Sequence, residues 1–143
     1  MPSDPDVLMK PAMAGILGVC KAAQKWKAKR IVLTSSMASV NSCPPAGVIE
    51  FDENSWSNAD LCPPHMKSVT LSEKAAWDFV KDLPEDEKFE VVSMNPGFVV
   101  GPPLISHRFS SGDFVEQMMF GKMPILNFCM DCIDVRDLAK AHL

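Results

Sequence analysis

No tyrosine occurs anywhere in the 143 residues, so no phenol can give up a proton in this chain or anchor a ligand through its hydroxyl. Long hydrophobic runs are missing as well: none approaches the ~20 apolar residues that a membrane span requires. Neither sign of charge dominates. Fourteen Lys and Arg against eighteen Asp and Glu leave a formal net charge of −4, which gives no electrostatic reason to expect nucleic acid or an anionic membrane as a partner. The amino-terminal Met1-Pro2-Ser3-Asp4-Pro5-Asp6 is acidic and prolyl, unlike a secretory signal or a transit peptide. A cytoplasmic protein is the expectation.

The five cysteines, Cys20, Cys43, Cys62, Cys129 and Cys132, are odd in number and scattered. With 47% of its residues hydrophobic, the chain can bury a core without staples, so they read as reduced thiols and not as a disulfide framework. Cys129 and Cys132 do form a Cys-x-x-Cys. A redox centre wants its first cysteine at a helix N-terminus, where a thiolate is stabilised. Here Phe128-Cys129-Met130 reads as strand interior, and the next helix starts only near Asp134. Zinc needs two further ligands, and no second pair stands at suitable spacing. No metal site is expected, and a structural role for these two thiols is preferred to a redox one.

A length of 143 residues suits one domain. Within it four helical and three strand segments alternate, without repeats or low-complexity tracts. Residues 5–26 place Leu8, Ala12, Ile16, Val19, Cys20 and Ala23 at three- and four-residue spacing, one apolar helix face. Pro11 inside this stretch predicts a kinked first turn or a later start. Ile31-Val32-Leu33 is a continuous apolar run, as in a strand buried on both faces. Residues 41–64, rich in proline, asparagine and serine, predict a long surface loop. A helix follows over 64–81, with proline suited to its first turn and Leu71, Ala75, Phe79 and Val80 facing inward. Phe89–Asn95 reads as a second strand ended by Pro96-Gly97, residues 112–120 as a helix, 125–130 as a third strand and 134–143 as the last helix. Alternation of this kind predicts an α/β fold: a parallel sheet with helices on both faces, joined by right-handed crossovers.

Three constellations can carry chemistry. Thr34-Ser35-Ser36 leaves the carboxyl end of the first strand, where parallel sheets bind ligands. Hydroxyls there can hold a carbonyl, although serine and threonine also simply suit a strand exit. In Asn95-Pro96-Gly97-Phe98-Val99-Val100-Gly101-Pro102, proline removes a backbone donor and glycine permits close approach, so bare backbone can lie against a flat ring. The plain alternative is turn chemistry that ends a strand. In Asp134-Val135-Arg136-Asp137, the first aspartate can cap the last helix and Arg136 can pair with Asp137 in solvent. His107 and His142 read as surface histidines.

In this order the segments resemble the extended short-chain dehydrogenase/reductase family, in the branch of dihydroflavonol and cinnamoyl-CoA reductases. The matching text is Val32–Val40, Phe51–Ser57, Leu71–Trp77, Asn95–Pro102 and Asp134–His142, which together reach over nearly the whole chain. The resemblance implies a partial Rossmann-like doubly wound parallel sheet, about three strands and four helices of the full fold, in a single domain. It implies NAD or NADP as cofactor and a small-molecule carbonyl, an aldehyde or ketone, as substrate. In that family a tyrosine supplies the proton that accompanies hydride transfer. A lysine one helical turn later lowers the tyrosine's pKa and holds the nicotinamide ribose, and a serine orients the carbonyl. Ser36 matches the serine. Pro96, Gly97, Phe98 and Val99 match backbone beside the nicotinamide, and Ser111 matches a residue near the coenzyme phosphates.

The tyrosine and lysine positions hold His65 and Val69. His65, with an ordinary imidazole pKa of ~6.5, can act as an acid near neutrality. Val69 cannot hydrogen-bond a ribose. Lys67, two residues on, falls off the His65 face, since helix neighbours lie three or four apart. The glycine-rich turn that sets a pyrophosphate on a helix N-terminus has no counterpart, because Gly15 and Gly18 fall inside a helical pattern. The match starts at the helix before the family's fourth strand. Its first three strands and its C-terminal substrate lobe are therefore expected to be missing, with the Ile31–Ser36 strand left as an exposed edge open to self- or hetero-association. The expectation is a chain of oxidoreductase lineage that is inactive by itself. The alternative is a non-catalytic module that keeps half the fold for binding or structure.

Overall fold

The computed structural model describes residues 6–47, 50–104, 110–124 and 131–143, which divide into two compact units, Met1–Asn95 and Pro96–Leu143. The first unit runs from helix α1 (Asp6–Lys25) to strand β1 (Arg30–Thr34), the short helix α2 (Ala38–Asn41) and helix α3 (Pro64–Lys81). A single 3₁₀ turn (Glu85–Glu87) then leads into strand β2 (Glu90–Met94). Asp6 in the first turn of α1 and Lys25 in its last complement the helix dipole. The helix passes through Pro11 instead of starting after it. The carbonyl left without an amide partner is that of Val7, in an exposed first turn that water can reach.

Ile16, Cys20 and Ala23 of α1 bury against Ala76 of α3 and Phe89, with Ile31, Leu33, Phe79, Val80 and Val91 packed around them. Val19, expected on this face, is 53% exposed, so the buried stripe is narrower than its apolar spacing suggested. β1 and β2 pair in parallel, Ile31 opposite Val91, Val32 opposite Val92 and Leu33 opposite Ser93. Helices α1 and α3 both pack on the face that carries Ile31, Leu33 and Val91. Alternation along a strand turns Val32 and Val92 the other way, where Val32 is half-buried and Val92 exposed. Burial of this strand on both faces, expected from its unbroken apolar run, is therefore not met among the described residues.

Helix α3 begins at Pro64 as its sequence predicted. Ala75, Phe79 and Val80 pack against the core as expected, but the positions that bury fully are Ser68, Thr70, Glu73 and Ala76. Polar side chains are tolerated inside this helix because they bond locally. Ser68, Thr70 and Ser72 donate to the carbonyls of His65, Met66 and Val69 at 2.7, 2.9 and 3.0 Å. The long irregular segment ahead of α3 is pinned by the buried Ser57. Its hydroxyl donates to the Ala38 carbonyl at 2.8 Å and accepts from the amides of Ser42 and Cys43 at 3.0 and 3.3 Å.

The second unit consists of strand β3 (Phe98–Val100), helix α4 (Ser110–Met119), strand β4 (Cys132–Asp134) and helix α5 (Val135–Ala141). β3 and β4 pair in parallel, Val99 opposite Ile133. A strand at 98–100 was not anticipated, since proline and glycine suggested a turn alone. Its cause is Gly97, whose missing side chain lets the backbone close on Asp131. A Cβ there would stand 2.3 Å from the Asp131 carbonyl oxygen, and that same oxygen accepts from the Phe98 amide at 2.7 Å. Phe98 also meets Phe114 of α4 edge to face, ring centres 5.0 Å apart. The strand expected over 125–130, Cys129 and His107 lie outside the described residues.

Asp134 caps α5 as anticipated, its carboxylate accepting from the Arg136 amide at 2.8 Å. Arg136 does not reach forward to Asp137. Its guanidinium folds back on Asp134, Nε and Nη2 at 2.9 and 2.6 Å from the two carboxylate oxygens, a fork geometry that a planar guanidinium favours. Asp137 pairs instead with Lys140 at 3.2 Å.

Candidate functional site

The carboxyl ends of β1 and β2 converge on one charged side chain, Glu73 of α3, which is only 5% exposed. Its Oε2 receives the Ser35 hydroxyl at 2.5 Å, the Ser39 hydroxyl at 2.6 Å and Asn95 Nδ2 at 2.8 Å. Its Oε1 faces the Trp77 indole nitrogen at 3.5 Å. Burial pushes this carboxyl toward neutrality, but the hydrogen bonds from Ser35, Ser39 and Asn95, with the Ser93 hydroxyl nearby, hold it below the usual carboxylate range. The Ser93 oxygen is enclosed beside the carboxylate and makes no bond of full hydrogen-bond geometry; it acts on the charge from slightly further off. Asn95 also reaches Ser39 Oγ at 2.8 Å and the Ser36 carbonyl at 3.2 Å. Ser39 has one proton to place between Glu73 and the Ser36 carbonyl, 2.8 Å away, and the charged acceptor is the stronger of the two.

This network fixes the backbone on which Ser36 sits. The Ser36 hydroxyl accepts from the Ala38 amide at 3.2 Å, at the start of α2, and as a hydroxyl it keeps a proton that it can donate. The hydroxyl of the neighbouring Ser35 is committed to Glu73. His65 stands exposed in the first turn of α3, and among the described residues no hydrogen bond joins its ring to Ser36 or to any other group. Val69, one turn later, is half-buried. Lys67 is held at 3.1 Å by Asp60, so the cation nearest to His65 in sequence is already engaged in an ion pair.

In the second unit, Val99 and Ser111 come together as walls of one apolar groove of about 280 Å³, with Val100, Pro102, Leu104 and Val135. Pro96, Gly97 and Phe98 do not line it; Gly97 spends its close approach on the Asp131 backbone. Gly15 and Gly18 lie inside α1, as their pattern predicted, and build no phosphate-binding turn. Glu73 went unnoticed in the sequence. The signal that could have found it is its position three residues after Thr70 and three before Ala76, a carboxylate in the inward stripe of a helix.

No protein-family model matches the chain. Individual proteins do. A cinnamoyl-CoA reductase of Medicago truncatula is 34% identical over 95% of this chain and 43% of its own length. The NADPH-dependent methylglyoxal reductase of Saccharomyces cerevisiae is 34% identical over 99% of this chain and 46% of its own. Among solved structures, the yeast methylglyoxal/isovaleraldehyde reductase complexed with NADPH superimposes with a TM-score of 0.82 at 31% identity, covering 99% of this chain and 47% of that one. Vestitone reductase from alfalfa follows at 0.70 and 26%, covering 96% and 46%.

The chain belongs to the extended short-chain dehydrogenase/reductase family. It spans less than half the length of the curated relatives it matches. The α/β architecture with parallel strand pairing is that of the Rossmann-type reductases. Ser36 lies beside the buried Glu73 network, and α3 carries His65 and Val69 in its first two turns. Among the described residues no helix is long and apolar enough to cross a membrane.

Proposed function

We propose that this chain descends from NAD(P)-dependent carbonyl reductases and keeps their substrate-side scaffold without their proton and hydride chemistry. One observation carries the reading: the first turn of α3 presents the exposed His65 ring with no partner among the described residues, and Val69 stands where a ribose-holding cation is required. Lys67 offers no substitute, being paired with Asp60. In this reading Ser36 is the hydroxyl that faces a small aldehyde or ketone, and His65 is a weak stand-in for the proton donor. Pro96, Gly97, Phe98, Val99 and Ser111 belong to the coenzyme side. When bound, NAD or NADP would supply hydride. The Val99–Ser111 groove, about 280 Å³, lies at the small end of ligand cavities and suits a single flat ring better than a whole dinucleotide. The residues described here therefore fit the coenzyme only in part. The buried Glu73 network supports the non-catalytic alternative, a binding module, equally well.

The reading also places the protein in the cytoplasm, supported by the free thiols of Cys20, Cys43 and Cys62. It gives β1 an open side through which a second chain can add. That proposal is supported by its single partner strand among the described residues. The test is calorimetric titration with NADPH and with NADH, followed by turnover of methylglyoxal. A dissociation constant weaker than ~1 mM and no coenzyme consumption above the buffer rate are expected. Micromolar coenzyme affinity, or saturable turnover lost on His65→Ala, would defeat the reading.

A further inference from the structure

Five lysines meet at the amino ends of β1 and β2, the opposite end of the sheet from the Glu73 network. Lys21, Lys25 and Lys27 at and just past the close of α1, Lys29 ahead of β1 and Lys88 ahead of β2 line a cleft of about 620 Å³. Its walls are tied to each other. Gln24 Nε2 donates to Glu87 Oε2 at 2.5 Å, and the Glu90 amide donates to the Lys29 carbonyl at 3.0 Å. Lysine beside a helix C-terminus ordinarily serves the last carbonyls. Here main-chain amides take them: Trp26, Lys27 and Ala28 donate to the carbonyls of Ala22, Gln24 and Ala23 at 2.9, 3.1 and 2.9 Å. Lys25 lies over the Trp26 ring, 5.5 Å from its centre, and Lys88 pairs with Glu85 at 2.8 Å. The ammonium groups of Lys21, Lys27 and Lys29 have no partner among the described residues. Of the two carboxylates on the cleft, Asp86 and Glu87, the second is already engaged by Gln24.

Lys27 is unusual in a second way. Its φ is +51°, and among the described residues it is the one non-glycine residue with left-handed backbone. It stands at the helix-stop position, where glycine escapes the Cβ penalty. A lysine there costs stability and places an ammonium group on the cleft. We infer that this cleft binds a small molecule bearing a short chain of linked phosphates. The volume falls within the range of small-ligand cavities, and ammonium groups bind phosphate oxygens as point charges. Lys21, Lys27 and Lys29 are exposed, so ordering them costs side-chain entropy that a singly charged anion does not repay. A ligand with several charges close together meets all three at once. The whole chain carries −4, so this basic end is a local exception that attracts a compact polyanion and not an extended nucleic acid. The bound phosphates bridge the end of α1 to the residues ahead of both strands and so fasten that helix to the sheet.

The experiment is calorimetric titration of the intact chain with inorganic triphosphate in about 50 mM salt, repeated with magnesium-free ATP and mapped on backbone amides by NMR. Binding is expected, with amide shifts at residues 21–29 and 86–88 and an affinity that falls steeply as salt is raised. Lys29→Gln should weaken it roughly tenfold. Lys27→Gly should weaken it as much while the thermal midpoint holds or rises, because glycine relieves the left-handed backbone. Lys10→Gln removes the same charge from the far end of α1, where Lys10 pairs with Asp6, and should leave the affinity unchanged. ATP bound no better than inorganic triphosphate assigns the site to the phosphates alone. ATP bound at least roughly tenfold tighter assigns it to a nucleotide, with the exposed Trp26 ring as the surface for the base. Absence of binding, shifts centred on other lysines, a Lys29→Gln variant that binds as tightly as the native chain, or equal weakening by Lys10→Gln would overturn the inference. No residue is shared with the Ser36 site, so either reading can fail alone.

Discussion

Of the buried hydrophobic side chains among the described residues, Ile16, Cys20, Ala23, Ala38, Ala76 and Phe89 lie in the first unit and Leu138 alone in the second. Among the described residues, every buried polar side chain, from Ser39 to Glu73, is also in the first. The second unit is organised along its backbone instead. Gly97 admits the Asp131 carbonyl, and Gly101, at φ +126°, lets Val135 and Asp134 approach what would be its Cβ. Asp134 closes the first turn of α5. One region stores its specificity in side chains that leave water, the other in places where a side chain is forbidden. His65 is exposed and Val69 half-buried, and neither belongs to the buried set that holds α3 in place.

The sharpest way to break the first region is Glu73→Ala. It strands Ser35, Ser39 and Asn95 in a low-dielectric site without their common acceptor, and unsatisfied buried donors cost ~1–3 kcal/mol each unless water enters. A loss of about 3 kcal/mol is expected in urea unfolding, read as a lower midpoint at unchanged slope. Glu73→Gln should cost less but still measurably, because its amide opposes the Asn95 amide. The carboxyl is held below its ordinary value of 4.5. Its contribution is therefore present above the unfolded-state value and fades as pH falls through the lower folded value. Wild-type stability should drop on acidification below about pH 4.5, and the Glu73→Gln variant should lack that part of the slope. An unchanged midpoint in Glu73→Ala would mean that the network is decoration.

The elements that sequence spacing located well are those whose burial follows a period. The whole of α3, most of α1, and β2 within one or two residues have bounds close to those that their spacing predicted, although the residues of α3 that bury fully are mostly polar. Val19 was misplaced for the same reason, since periodicity marks a wide face while packing against one neighbour fills a narrow one. The network behind Ser36 was illegible, because a glutamate at helical spacing looks solvated until its partners arrive from residues 35, 39 and 95. Strand β3 was missed because proline and glycine signal a turn, and no local pattern reveals that a glycine faces a carbonyl from residue 131.

The second region should fail through a single methyl group. At Gly97→Ala the new Cβ meets main-chain oxygen, not a flexible side chain, at 2.3 Å. Relief requires β3 and β4 to separate and the bond from the Phe98 amide to the Asp131 carbonyl to lengthen. Overpacking against backbone costs ~1–3 kcal/mol. The loss should be local: amide exchange at Phe98 and Val100 accelerates at least roughly tenfold, while Ile31–Leu33 keeps its protection. Matching losses in both places would erase the distinction between the two regions, since the substitution would then be felt in the core of the first.

The smallest effect is expected at Arg136→Ala, and it sharpens the comparison because two readouts should part company. The fork from the Arg136 side chain, with the amide bond of the same residue, holds the Asp134 carboxyl down to about 2 from an ordinary 3.8. Arg136 is exposed and Asp134 half-buried, and solvent that reaches such a pair screens it until little stability remains. A depressed carboxyl contributes above its unfolded value and loses that contribution as pH falls toward about 2, so the variant's loss is read at neutral pH, where screening keeps the fall in thermal midpoint small. The NMR titration of Asp134 should shift upward all the same, stopping short of 3.8 because the amide of residue 136 is main chain and survives the substitution. A large drop in midpoint would show that the second unit depends on this ion pair, and that its order does not come from backbone proximity alone.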